Sequence, residues 1–209
     1  MRLAFVLALL ASTASAETFN LSLGGSSIGS MTFDGSTLRS SVTDSPMGVA
    51  NGAFLASSRR VQQADGSVVT QYLSEAPRKN RTISVLHDGG RAVDTTVSPS
   101  SDATALSDPA AVPAGVIDPV QALARMTSAS SCPSGMSFYD GRRVITLSPS
   151  GASQDGTTQT CNMDYRVTAG PGHMSPLFIK KARMELTYTA GRLSQISIGS
   201  GPFTLYVTR

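Results

Sequence analysis

Runs in which apolar and polar residues alternate recur along most of this chain, and turn-forming residues separate them. The first run is typical, because Phe19, Leu21 and Leu23 alternate with polar neighbours and the run ends at Gly24-Gly25. A two-residue period indicates a strand with one buried face, and paired glycines or Asp-Gly pairs favour tight turns between antiparallel strands. The pattern therefore predicts an all-β protein whose strands are mainly antiparallel.

The same pattern predicts a series of further strands. They lie at 28–33, 67–73, 81–87, 91–97, 136–139, 142–147, 160–168, 183–189, 192–198 and 203–207. The clearest hairpin has Asp140-Gly141 at its turn. Strands at such regular spacing favour one curved sheet or a half-closed barrel. Charged residues make up only 15% of the chain, which argues against a charge-rich helical bundle.

One short helix is predicted from Asp118 to about Ser128. Asp118 is a suitable N-cap, and Pro119 stands at the first helical position. Apolar residues then follow at helical spacing, so we expect the helix to cover one end of the sheet with its apolar side.

Two polar segments show no strand pattern. Residues 98–113 contain Ser, Asp, Ala and Pro with almost no large apolar group. We expect this segment to be a surface loop that cannot bury enough area to order itself. Residues 148–158 are predicted to be a second, shorter polar tip.

The first sixteen residues are predicted to be a cleavable signal peptide. Arg2 precedes an apolar run at 3–11, and Ala14-Ser15-Ala16 has the small-residue pattern of a cleavage site. The run is too short for a stable membrane span, and no later run approaches the required length. We therefore expect a periplasmic protein, without a transmembrane span, whose residues 17–209 form a single β-rich domain.

The chain has two cysteines, Cys132 and Cys161, both in the part expected to be exported. An even count in an oxidising compartment predicts a disulfide bond between them. The alternative is a reactive or metal-binding pair. Their spacing is not that of a C-x-x-C motif, and no histidine lies near either cysteine in the sequence.

The charge pattern argues against a nucleic-acid partner. The formal net charge is only +3, and the chain has no tryptophan. The basic clusters at 59–60, 78–81, 142–143 and 180–181 are scattered rather than concentrated in one stripe. We expect them to be solvated side chains at strand ends and turns.

The search for catalytic chemistry finds little. Ser27 is the central residue of a formal G-x-S-x-G string, but a strand pattern follows it where a hydrolase has a helix. We therefore expect Ser27 to lie in a turn between strands. His87 and His173 are expected to be hydrogen-bonded or exposed structural residues. No catalytic residue, metal site or cofactor is predicted, and we do not expect an enzyme.

Several short motifs together resemble the bacterial exported domain-of-unknown-function family 3108. They are, in order, Gly24-Gly25 with Ile28-Gly29, Glu75-Ala76-Pro77 before 79–86, GVIDPVQAL at 115–123, FYDGRR at 138–143, and Cys161 followed by YRVTAG at 165–170. The resemblance implies an all-β envelope protein with a curved antiparallel sheet and one short helix. It implies no activity, cofactor or catalytic residue.

These observations favour a protein that binds a lipid or another apolar ligand of the cell envelope, because a half-closed sheet presents a concave apolar surface. Phe138, Tyr165, Leu186 and Tyr188 are candidates for the core or for a pocket wall. The alternative is a structural or interaction module that docks to an envelope protein through 98–113. A hydrolase using Ser27 or a histidine is the third hypothesis.

Overall fold

The computed structural model describes residues 16–43, 51–173 and 179–209. Apart from Ala16, the predicted signal peptide lies outside the described residues. In the described part of the chain, no helix has the length and apolar character that crossing a membrane requires.

In the described parts of the chain, fourteen strands form one sheet. In chain order they are β1 (Glu17–Leu23), β2 (Ser26–Phe33), β3 (Thr37–Val42), β4 (Gly52–Gln62), β5 (Val68–Ala76), β6 (Arg81–Asp88), β7 (Arg91–Ser98), β8 (Val116–Ile117), β9 (Met136–Tyr139), β10 (Val144–Asp155), β11 (Thr158–Ala169), β12 (Lys181–Thr189), β13 (Arg192–Ser200) and β14 (Phe203–Thr208). One α-helix, α1 (Pro119–Ser128), lies between β8 and β9.

The sheet curves into a nearly closed barrel with one unsealed seam. The first and last strands of the chain, β1 and β14, pair in the middle of the sheet, and the seam lies between β7 and β8. Neighbouring strands are antiparallel except for the short parallel pair β8–β9. The predicted all-β, mainly antiparallel fold with one short helix is therefore confirmed.

The sequence pattern missed three strands, the two-residue β8 together with β3 and β4, and it misjudged a hairpin. β3 and β4 lack the clean alternation of their neighbours, with half-buried residues on both faces. Residues 148–158 are not a loose tip, because β10 and β11 remain paired as far as Asp155 and Thr158. This part of β10 is exposed on both faces. Backbone ladder hydrogen bonds hold it, so no apolar pattern marks it in the sequence.

The helix begins as predicted and packs inside the curve of the sheet. Oδ1 of Asp118 accepts a hydrogen bond from the backbone N–H of Gln121 at 2.9 Å. The helix contacts β4, β9 and β13, which lie far apart in the order of strands. One helix reaches all three only from the concave side. Val120, Leu123 and Met126 are buried there.

The antiparallel order places successive turns at alternate ends of the barrel. We call the end with the turns at 34–36, 63–67 and 190–191 the helix end, because the last turns of α1 lie against Phe33 and Asp34 there. The opposite end has the turns at 24–25, 77–80 and 140–143. We call it the cavity end.

The segment at 98–113 closes the seam on the cavity side. It forms three single 3₁₀ turns, and Leu106 is buried in the core. The hydroxyls of Thr104 and Ser107 donate to the carbonyls of Arg142 and Gly141, each at 3.0 Å. The expectation that this loop cannot order itself is wrong, because hydrogen bonds to another turn replace the apolar area that it lacks.

The predicted disulfide between Cys132 and Cys161 is confirmed. The two Cα atoms are 5.4 Å apart. The bond links the connection after α1 to β11, and Cys161 is buried among the core residues. It therefore ties the chain that follows the helix to the wall of the barrel.

Candidate functional site

A cavity of about 450 Å³ lies within the curve of the sheet at the cavity end. Strands β3 to β6 form one wall, and the turn at 140–143 with His173 forms the other. Tyr72 and Ser74 of β5 are buried side chains of this wall. The helix fills the barrel interior only toward the helix end, so this space remains open.

Part of the cavity wall is apolar. Val42, Phe54 and Ile83 line it from three different strands. Val42 and Phe54 are partly buried, and Ile83 is buried in the core. An apolar wall of this kind accepts a hydrocarbon or aromatic group by removing its surface from water.

A buried cation forms the polar side of the cavity. Arg143 is 7% exposed, and its Nε lies 3.0 Å from Oδ2 of Asp140. Oδ1 of Asp140 accepts the backbone N–H groups of Arg142 and Arg143, which fixes the turn. Burial raises the pKa of Asp140, and the charge of Arg143 opposes that rise.

Glycine at position 141 lets this turn pack against β6. Its φ is +91°, and a Cβ there would lie 2.3 Å from Cγ2 of Ile83. Close packing buries Arg143, the last residue of this turn before β10. The expectation that Arg142 and Arg143 are solvated is therefore wrong for Arg143. Arg142 is also engaged, since its Nε donates to the carbonyl of Asp102 at 2.6 Å.

His173 extends the polar cluster to β11. Nη1 of Arg143 lies 2.6 Å from Nδ1 of His173. Because a guanidinium only donates, Nδ1 is the acceptor and Nε2 carries the proton. Nε2 then donates to the hydroxyl of Tyr165. Burial, with the charges of Arg143 and Lys79, lowers the pKa of His173 to about 3. His173 was predicted to be hydrogen-bonded or exposed, and its hydrogen bonds confirm the first of these alternatives.

The turn between β5 and β6 brings further cations to the cavity. Arg78, Lys79 and Arg81 all line it. Arg81 forms an ion pair with Asp102 at 3.1 Å. Burial lowers the pKa of Lys79, and the charges of Arg81, Arg143 and Arg142 lower it further. Positive charge therefore exceeds negative charge at this end.

His87 lies elsewhere, among the core residues of β6. It is 5% exposed, and neither ring nitrogen has a hydrogen-bond partner among the described residues. Its ring meets that of Tyr139 edge-on, with the centroids 6.3 Å apart. Burial lowers its pKa. The expectation of a hydrogen-bonded or exposed residue is wrong, because the two-residue period of β6 directs His87 inward with Ile83 and Val85.

The remaining candidates are dispersed. Ser27 is exposed on β2 and pairs with Ser22. Because Ser27 lies within β2, the expectation that it lies in a turn between strands is wrong. Leu186 and Tyr188 are core residues, whereas Tyr165 and Phe138 are only partly buried. Across 16–43, 51–173 and 179–209, no three His, Cys, Asp or Glu side chains form a group suited to a metal ion.

No protein-family model, curated protein or solved structure matches this chain. The resemblance to the exported family 3108 therefore stays a prediction.

The arrangement places a guanidinium, held by a carboxylate and an imidazole, beside further cations and an apolar wall. Chemically, it could accommodate a molecule that is apolar at one end and polar at the other. Sequence reasoning missed this site because its parts come from β3 to β6, from the turn at 140–143 and from His173. The one local signal was Asp140-Gly141, which fixes the turn before Arg143.

Proposed function

We propose that this protein is a periplasmic binding protein that holds a small molecule inside the curve of its sheet. The observation that carries the proposal is the cavity at the cavity end, whose lining includes the buried side chains of Tyr72, Ser74 and Arg143. The helix end also has a groove, of about 520 Å³, beside α1, but of its lining residues only Phe33 is buried. Its volume falls within the range of small-molecule sites, which is roughly 300 to 1,000 Å³.

The lining supports a ligand with an apolar portion. Val42, Phe54 and Ile83 offer a hydrophobic wall, in keeping with the expectation of a lipid or another apolar component of the cell envelope. The disulfide between Cys132 and Cys161 supports an oxidising compartment. The predicted signal peptide and the periplasmic location agree with that compartment.

The alternative of an interaction module that docks through 98–113 has less support. Thr104 and Ser107 hydrogen-bond to the turn at 140–143, and Leu106 is buried. The segment therefore acts as a part of the barrel wall. Its deletion would also open the seam, so that experiment does not separate docking from binding.

Native mass spectrometry on protein purified gently from a periplasm tests the proposal. We expect a reproducible added mass that organic solvent extracts. Ser40→Trp places a large side chain at the cavity wall, because Ser40 is half-buried on the same face of β3 as Val42, and it should abolish the added mass. The matched control Ser153→Trp, on the exposed part of β10, should retain it. An added mass that survives Ser40→Trp would contradict binding in this cavity.

A further inference from the structure

We infer that the ligand of this cavity carries an anionic oxygen group, a carboxylate or a phosphate ester, that docks between Lys79 and Arg143 while an apolar tail lies along β3, β4 and β6. This inference rests on the proposed binding function and names the chemistry of its ligand.

The first argument is the hydrogen-bonding capacity of Arg143. Its Nε faces Asp140 and its Nη1 faces His173. Within the described chain, no hydrogen bond occupies Nη2, and Arg143 lines the cavity. A guanidinium already oriented by an ion pair and one hydrogen bond loses little freedom when the N–H groups of Nη2 bind an oxyanion. His173 does not compete with an anion for Nη2 of Arg143, because its acceptor atom Nδ1 already accepts from Nη1.

The second argument is the charge balance. Around the cavity, Arg81 is paired with Asp102 and Arg143 with Asp140. Lys79 has no ion pair with a described carboxylate. Burial lowers its pKa, and the repulsion of three nearby arginines lowers it further, against the attraction of Asp102. An anion beside Lys79 would relieve that repulsion. Four cations, Lys79, Arg81, Arg142 and Arg143, stand against the two carboxylates Asp102 and Asp140, which leaves this cluster a net charge of +2.

The third argument is the position of the apolar wall. Phe54 and Ile83 line the same space as Lys79 and Arg143. A bare inorganic anion would leave this wall unused, whereas an anion with a hydrocarbon tail would occupy both parts. Apolar burial contributes about 25 cal/mol per Å² of surface removed from water, so the tail adds to the affinity.

Isothermal titration with three ten-carbon probes and one bare anion tests the inference on the mature chain after delipidation. The probes are decanoate, decyl phosphate and decan-1-ol, and the bare anion is inorganic phosphate. We expect decanoate or decyl phosphate to bind one molecule per chain. Decan-1-ol should bind at least about tenfold more weakly, because it lacks the charge-assisted hydrogen bond.

Lys79→Gln removes one cation at an exposed turn, so the fold should persist. It should weaken binding of the anionic probe roughly tenfold and leave decan-1-ol unchanged. Lys181→Gln, at an exposed position of β12, is the matched control and should bind like the wild type. Equal thermal midpoints for the three proteins would show that folding does not cause the difference.

The outcomes separate the two proposals. If decan-1-ol binds as tightly as the anionic probes, the anionic ligand is refuted and the apolar binding protein stands. If inorganic phosphate binds as tightly as decyl phosphate, the site serves free anions and the tail is refuted. If none of the four binds and the protein from the periplasm has no added mass, both proposals fail.

Discussion

The two ends of this barrel are built from the same strands but filled in different ways. At the helix end, Val120, Leu123 and Met126 of α1 pack against the inner face of the sheet, and the hydroxyl of Tyr188 donates to the carbonyl of Met126 at 2.8 Å. At the cavity end, a buried arginine, a carboxylate and a histidine line open space. The helix end is therefore packed with apolar side chains, and the cavity end is where we propose that a ligand binds.

The difference has an energetic basis. Burial of apolar side chains against α1 stabilises the fold in proportion to area. A buried ion pair such as Arg143–Asp140 contributes little net stability, because desolvation offsets the attraction. Changes at the helix end should therefore alter the free energy of unfolding, and changes at the cavity end should alter binding and pH response.

Removal of the disulfide should produce the largest loss. The bond joins residues 29 apart in the sequence, and the chain-entropy relation gives about 3.5 kcal/mol for a loop of that size. Urea unfolding of Cys132→Ala/Cys161→Ala at neutral pH measures the loss. Reduced wild-type protein is the control and should show a similar value. Decanoate affinity of the folded variant should stay unchanged, and a large drop would show that the two ends are coupled.

Leu123→Ala should destabilise the protein by about 3 kcal/mol, because it leaves a cavity under α1. Leu123 is only 9% exposed. The control Arg125→Ala lies on the exposed side of the same helix and should change stability by less than about 0.5 kcal/mol. Chemical denaturation of the two variants makes the measurement. Equal losses would mean that the helix does not hold this end together.

Stability should fall as the pH drops below about 6.5, the ordinary histidine pKa. The pKa of His173 is lowered to about 3 in the folded protein, and that of His87 is lowered by burial. As the pH falls, the histidines of the unfolded chain therefore bind protons at a higher pH than those of the folded protein. Each histidine adds a slope of up to about 1.4 kcal/mol per pH unit in this window. His173→Gln keeps an acceptor for Arg143 and should reduce the slope measured by urea unfolding between pH 6.5 and 5. An unchanged slope would show that His173 is not held neutral.

Tyr188→Phe should have the smallest effect, a loss of about 1 kcal/mol, because the carbonyl of Met126 loses its donor. Tyr206→Phe, on the exposed side of β14, is the matched control and should be neutral within about 0.5 kcal/mol. Thermal unfolding of the two variants makes the comparison. If both variants behave alike, this hydrogen bond does not secure α1.

Local patterns predicted most of the fold. The alternation at 19–23 and the cap at Asp118 each report an element through neighbours in the sequence, as do the turn residues Asp140-Gly141. The sequence pattern did not predict β3, β4 or the outer part of β10. Backbone hydrogen bonds to neighbouring strands stabilise these segments whether or not their apolar and polar side chains alternate. The candidate site escaped for another reason, since Lys79, Arg143 and His173 meet only when distant strands curve around one space.

The all-β class, the helix with its Asp118 cap and the pairing of Cys132 with Cys161 can be read from the sequence. Each of these depends on side-chain periodicity, on a local cap or on a unique pair of thiols. Three other features arise from the way the chain folds in space: Arg143 is buried, 98–113 closes the seam, and the scattered basic clusters at 78–81 and 142–143 converge on one cavity. The physical reason is that curvature and strand order set the distances between residues remote in sequence, and burial and charge depend on those distances.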